Sequence, residues 1–198
     1  MKVSHGMHRP VVVAVGGTLR DDSSTEKALK LVLRRCVELG ADTTLISGAD
    51  LDLPAYAPER AERTERAQFL VASLRRADAI LIGSPGYHGG ISGLVKNALD
   101  YTEDMRGDAR CYFDGRPVGC VATGAGWQGA VATLGALRAV VHALRGWPTP
   151  LGVAINTIEP VFAPDGGCLS PDLGRTLDAM ADQLLDFVAA RSALAAAV

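Results

Sequence analysis

Gly83-Ser-Pro-Gly-Tyr-His-Gly-Gly-Ile-Ser-Gly-Leu-Val-Lys-Asn-Ala-Leu-Asp100 is the stretch on which the reading of this chain turns. The apolar run Ala79-Ile80-Leu81-Ile82 precedes it and has the length and composition of a buried strand. Helical spacing at Leu94, Val95, Ala98 and Leu99 closes it. The stretch holds five of the chain's 22 glycines, with a proline, a tyrosine and a histidine among them. Glycine lacks a Cβ and tolerates positive φ, so such a loop lets backbone amides approach a flat ligand closely. Open α/β sheets also place their ligands at the carboxyl ends of strands.

Outward from this stretch the pattern repeats. Strands are expected at 11–15, 43–46, 78–82, 117–122 and 151–155, and helices at 24–39, 60–76, 93–101, 130–144 and 173–190. Short apolar strands alternating with helices require a parallel sheet covered on both faces. Five strands favour the flavodoxin-like order 2-1-3-4-5, in which the topological switch lies between strands one and three. Those two strands would deliver the loop after Gly16 and the loop after Gly83 to one crevice. Neither repeats nor an internal linker divide the 198 residues, so a single domain is expected, with 1–9 as a loose tail.

Composition narrows the partners. A net charge of −2 gives no basic field for nucleic acid and no polybasic patch for a membrane surface. No segment has the length of a membrane span or the form of a signal peptide, which points to the cytoplasm. Cys36, Cys111, Cys120 and Cys168 form no C-x-x-C pair and read as reduced structural thiols. His5 and His8 lack companions for a metal site, so no metal is expected.

Three loops carry the chemistry. The first is Gly16-Gly-Thr-Leu-Arg-Asp-Asp-Ser-Ser-Thr25. Amides at a helix N-terminus, with the side chains of Thr18, Arg20, Ser23 and Thr25, form a candidate phosphate site. Ser23-Ser24-Thr25-Glu26 also fits a capping box, with Glu26 reaching back to Ser23. The second loop contributes Pro85, Gly86, Tyr87, His88 and Gly89, with Asn97 as a residue that caps or orients it. The third is Thr123-Gly-Ala-Gly-Trp-Gln-Gly129, which matches G-x-G-x-x-G literally. It follows the fourth strand, and the next strand ends in Ile155-Asn156 rather than in an acidic residue for a ribose. A glycine-lined crevice wall therefore explains it better than a dinucleotide fingerprint does.

Gly17-Thr-Leu-Arg-x-x-Ser23, Ser84-Pro-x-Tyr-x-Gly89 and Ser92-Gly-x-x-Lys-Asn-Ala-Leu-Asp100 together resemble the NADPH-dependent FMN reductase family over roughly residues 10–190. The resemblance implies a flavodoxin-like three-layer sandwich binding FMN, with NADPH or NADH as reductant. It implies that Thr18, Arg20, Ser23 and Thr25 surround the FMN phosphate, although threonine at 25 stands where the family has asparagine. Pro85, Gly86, Tyr87, His88 and Gly89 would line the flavin; the family's frequent Glu and Asn are here Gly86 and His88. Thr123, Gly124 and Gly126 would edge its pyrimidine end, with the Gly124 and Gly126 amides facing developing negative charge. A homodimer or homotetramer is implied, and a flavin-dependent monooxygenase is an eligible partner. No protein side chain is expected to act as catalytic acid or nucleophile, because flavin carries the chemistry. The expected activity is hydride transfer from nicotinamide C4 to flavin N5, with electrons passing on to a monooxygenase or to a quinone-like or azo acceptor. The alternatives are a flavodoxin-type electron carrier, a non-catalytic FMN-binding protein, and a non-flavin NAD enzyme.

Overall fold

The computed structural model describes residues 9–197, and residues 1–8 of the expected tail, with His5 and His8, lie outside them. Arg9 is anchored: its guanidinium pairs with Asp42 at 3.1 Å and donates to the Gly40 carbonyl at 3.2 Å.

The chain alternates as expected. β1 (Val11–Gly16), α1 (Ser24–Glu38), β2 (Asp42–Ile46), α2 (Glu65–Arg76) and β3 (Ala79–Tyr87) come first. A two-residue strand β4 (Gly90–Ile91) and α3 (Gly93–Asp100) follow, then β5 (Pro117–Gly124) and α4 (Trp127–Ala143). β6 (Trp147–Pro148), β7 (Val153–Asn156) and α5 (Pro171–Ala196) complete it. β2, β1, β3 and β5 lie side by side in that order and are parallel. The far edge of β5 is shared by β6, which pairs with Pro117 and Val118, and β7, which pairs with Val121–Gly124. The main parallel strands thus follow the expected order, with two short strands added. Pro148 and Pro150 explain the divided edge, since neither offers an N–H to a ladder.

Alternation along the strands assigns the two helical layers. Val13, Val15, Ile80, Ile82 and Cys120 face α2, α3 and α4. Val12, Ala14, Leu81 and Val121 face α1 and α5. All four cysteines are free. Burial pushes the Cys36 and Cys120 thiols up to about 12, which keeps them protonated at neutral pH.

Several boundaries differ from expectation for local reasons. α2 starts at Glu65 rather than at Arg60, because Thr64 caps it by accepting from the Ala67 amide. α4 starts three residues early, at Trp127, immediately after Gly126 with φ +126°. α5 starts at Pro171, the first helical position that proline favours, behind the cap Ser170. β3 runs on through Pro85 and Gly86 to Tyr87, so most of the second loop is strand.

Candidate functional site

The carboxyl ends of β1, β3 and β5 meet where the order reverses. The last rung of the β1–β3 ladder pairs Gly16 with Gly83. The Gly17 amide then donates to the Gly83 carbonyl at 3.3 Å, and the two chains diverge.

On the β1 side, Gly17 has φ +110° and opens the first loop. The Thr18 hydroxyl accepts from the Arg20 amide and donates to the Arg20 carbonyl, both at 3.1 Å, folding the loop on itself. Arg20 is exposed and has no ion-pair partner among the described residues. Ser23 caps α1 by accepting from the Glu26 amide at 3.3 Å. The amides of Ser24 and Thr25 are then the first-turn donors that the cap leaves over. Only half of the expected capping box forms. Glu26 pairs forward with Lys30 at 2.7 Å, and its Oε2 is buried without a hydrogen-bond partner among the described residues. Lys30 also reaches Asp22 at 3.1 Å, and the hydrogen bonds to Glu26 and Asp22 raise its ammonium above the usual lysine range. Thr25 is buried, and its hydroxyl meets that of Thr123 at 2.7 Å. It therefore ties α1 to the end of β5 instead of presenting its oxygen to the first loop.

On the β3 side the second loop is a hairpin. Gly86 pairs with Ile91 and Tyr87 with Gly90, so His88 and Gly89 form a two-residue turn. Both have positive φ, +50° and +84°, as a type I′ turn requires. Asparagine tolerates that conformation better than histidine. His88→Asn is expected to raise stability by about 0.5–1 kcal/mol, part of the roughly 1–2 kcal/mol left-handed penalty. A thermal melt checks it; a lower midpoint would mean the imidazole itself holds the turn. Buried Ser84 fixes the hairpin's base, donating to the Pro85 carbonyl at 2.8 Å and accepting from the Ser92 amide at 3.0 Å. Asn97 does not orient this loop. It accepts from the Tyr56 amide at 2.8 Å and donates to the Pro54 carbonyl at 2.9 Å, pinning the segment after β2. Gly17, Thr18, Leu19, Tyr87, Gly93 and Leu94 line an apolar cleft of about 240 Å³ between the first loop and the hairpin.

On the β5 side, Asn156 organises the third loop. Its Oδ1 accepts from the Gly126 amide at 3.0 Å and from the Ile158 amide at 3.1 Å. The Gly124 carbonyl takes the Thr157 amide at 2.8 Å. The Gly126 amide is therefore engaged within the protein, contrary to the role that the resemblance implies for it. What stands open is the N-terminus of α4, which has no side-chain cap and begins at the exposed Trp127. Such a terminus favours negative charge.

A larger cavity, about 630 Å³, is lined by Tyr101 and residues 54–64 and by none of the residues of the three loops. Its wall is structural. Arg63 stacks on Tyr56 and Tyr101, 5.0 and 5.6 Å from their ring centres, and pairs with Asp104 at 2.7 Å. The Arg63 guanidinium holds the Asp104 carboxyl below the usual carboxylate range.

The profile of the family described as NADPH-dependent FMN reductase matches residues 10–159, which contain all three loops. The chain belongs to this family. An FMN-dependent NADPH-azoreductase of Staphylococcus aureus is 30% identical over 140 residues, 70% of this chain and 71% of that protein. Among solved structures, the flavoenzyme NAD(P)H:(acceptor) oxidoreductase FerB of Paracoccus denitrificans superposes with a TM-score of 0.68 at 23% identity, covering 90% of this chain and 97% of that one. A flavodoxin, WrbA-like protein of Agrobacterium tumefaciens has a TM-score of 0.61 at 20% identity, over 91% and 98% of the two chains. The fold is thus flavodoxin-like, and the family member is an oxidoreductase with FMN as cofactor and NADPH as reductant.

The site fits a flavin phosphate on its own geometry. Among the described residues the first loop offers an arginine without an ion-pair partner and first-turn amides of α1 that the cap leaves over, and Lys30 neutralises the buried Glu26 behind it. Among the described residues no helix is long and apolar enough to cross a membrane, and no acidic, histidine and cysteine cluster has the makings of a metal site.

Proposed function

We propose that this FMN reductase family member is a cytoplasmic NADPH:acceptor oxidoreductase that reduces azo or quinone-like compounds at a bound FMN. The observation that carries the reading is the departure of the first loop and the hairpin strand from the Gly16–Gly83 rung, with Arg20 exposed in that loop and without an ion-pair partner among the described residues. The azo acceptor follows the Staphylococcus aureus relative's name.

Bound there, FMN supplies hydride acceptance from the nicotinamide and electron delivery to the second substrate. The protein's part is binding and orientation. Arg20, the Ser23 hydroxyl and the amides of Ser24 and Thr25 would hold the phosphate, with the Thr18 hydroxyl shaping the loop through its two bonds to Arg20. Pro85, Gly86, Tyr87, His88 and Gly89 form the hairpin wall along the ring system. Thr123 and Gly124 would edge the ring system, and the positive N-terminus of α4 would favour negative charge on a group bound there. α4 carries only Arg138 and His142 as ionisable residues and exposes Trp127 and Val131. A helix so apolar around its circumference is usually covered, which supports a homodimer or homotetramer.

The deciding experiment is a visible spectrum of the protein loaded with FMN and freed of excess, followed by anaerobic NADPH and then an azo dye or a quinone. Retained flavin bands that bleach with NADPH and return with the acceptor are expected. Bleaching accompanied by loss of flavin through a filter would mean that reduced flavin is released to a partner monooxygenase instead. Bands that stay oxidised would mean a carrier or silent binder. In the same assay Arg20→Ala is expected to weaken FMN binding about 10- to 100-fold, the worth of a charge-assisted phosphate contact, with an unchanged melting temperature. An unchanged dissociation constant would remove Arg20 from the site.

A further inference from the structure

The hairpin is gripped from two sides, and the second grip comes from outside the three loops. On the α3 side Ser84 closes the base through the Ser92 amide. On the α4 side the contact is through Thr133, which is fully buried. Its hydroxyl donates to the Gly90 carbonyl on β4 at 3.3 Å. The same oxygen fills the notch left by the missing side chain of Gly86 on β3. A Cβ on Gly86 would lie 2.5 Å from Thr133 Oγ1 and 3.0 Å from the Gly129 carbonyl oxygen. One hydroxyl therefore meets both strands of the hairpin, bonding to one and packing tightly against the other.

We infer that Thr133 is a positioning residue for the flavin site: its hydroxyl, seated against Gly86, sets how closely the hairpin lies on α4 and so where the Tyr87 wall stands. Thr133 touches neither cofactor nor substrate, since it has no exposed surface. Its effect passes through the backbone of residues 86–90. Glycine at 86, where the family frequently carries glutamate, is the steric counterpart of this threonine. A larger residue at 86 and the hydroxyl at 133 exclude each other at the present spacing. The inference rests on the reading of this cleft as the FMN site.

The test measures FMN dissociation constants, flavin absorption maxima, and kcat and KM for NADPH in the holoenzyme, with melting temperature as a control on folding. Thr133→Val keeps the shape and removes the donor; it is expected to raise the FMN dissociation constant about fivefold and to shift the flavin bands, by the usual worth of one hydrogen bond. Thr133→Ser, which restores the hydroxyl, is expected to stay within about twofold of the parent. Gly86→Ala is expected to weaken FMN binding about tenfold or more by lifting the hairpin. In a Thr133→Ala background the same alanine should do less harm, giving a non-additive cycle that reports the direct contact. Variants whose melting temperature falls while the dissociation constant, spectrum and kcat stay at parental values would overturn the positioning role and leave a packing role only. An additive cycle would overturn the Gly86–Thr133 coupling. Should Thr133→Val fail to fold, Thr133→Ala, which adds no atoms, is read in its place. A parent protein that binds no FMN would instead overturn the flavin reading of the cleft, a result separable from unchanged variants of a parent that binds it.

Discussion

Arg116→Met is expected to lower the unfolding free energy by about 3–5 kcal/mol, a large share of the roughly 5–15 kcal/mol of a typical domain. Arg116 is among the largest fully buried side chains. Its Nε donates to the Ala77 carbonyl at 2.8 Å, Nη2 to the Arg75 carbonyl at 2.8 Å, and Nη1 to the Tyr112 carbonyl at 2.7 Å. Arg75 and Ala77 are at the C-terminus of α2, where backbone carbonyls lack intrahelical donors and the helix dipole is negative. The guanidinium thus closes α2 and holds the turn from which β3 departs. Burial pushes it down to about 10, with Arg110 adding to the effect and Asp78 opposing it, so it still carries its charge at neutral pH. Methionine fills much of the space and supplies none of the donors. Arg116→Lys has a single ammonium that cannot span three carbonyls in the plane of a guanidinium, so it is expected to recover only part of the loss. Urea unfolding of the three proteins checks this. A loss below about 1 kcal/mol for methionine would mean that desolvating the charge cancels the bonds it makes.

Arg116 also shows what the sequence conceals. The alternation of apolar strands with helices was legible, because short continuous apolar runs report strands buried on both faces and period-3.6 patterns report helices buried on one. Val12 through Val15 divide between the two layers in just that way. An arginine before a strand, by contrast, looks like any surface cation, and only the fold brings the α2 carbonyls to it. The same limit hid the hairpin. Ser84-Pro-Gly-Tyr87 has loop composition, yet Ser84 and Pro85 pair with Ala122 and Thr123 on β5, and sheet pairing overrides local propensity. The His88-Gly89 turn lacks the Asn-Gly signature by which two-residue turns are recognised. In the site, the residue types of the first loop were readable, but not their directions. Thr25 and the Gly126 amide turned out to serve the protein's own hydrogen bonds, with Thr123 and with Asn156. In the sequence Asn156 is only a strand end that lacks an acidic residue, and its task depends on β7 lying beside β5, a contact between distant parts of the chain. Thr133 carries no mark in the sequence, and only the fold seats its buried hydroxyl against the hairpin.

Gly16→Ala is expected to have the largest effect of any single methyl group added to this protein. The Cβ would lie 2.0 Å from the Gly83 carbonyl oxygen and 2.7 Å from its carbon, both main-chain atoms of the neighbouring strand. No side-chain rotation relieves such a contact; β1 and β3 must separate. Gly16 also has φ +150°, a conformation that L-residues with a side chain rarely adopt. Clash and backbone strain together exceed about 4 kcal/mol, enough to leave a marginally stable domain largely unfolded. The site explains why so tight a rung is kept. The Gly83 carbonyl also accepts the Gly17 amide, so the first loop and the hairpin strand leave from one point and diverge around the cleft. Were the strands prised apart there, the first loop and the hairpin strand would no longer leave from one point. Gly107→Ala is the control, since that exposed glycine lies in open space without a positive φ and off the α4 face. Alanine there is expected to be neutral or to stabilise by up to about 1 kcal/mol by narrowing the freedom of the unfolded chain. Soluble yield, thermal midpoint and FMN retention are measured for both. Gly16→Ala is expected to be insoluble or to melt far below the parent and to retain no flavin. A Gly16→Ala protein that melts within a few degrees of the parent and keeps its FMN would show that the β1–β3 spacing at the switch point is not set by this pair of glycines.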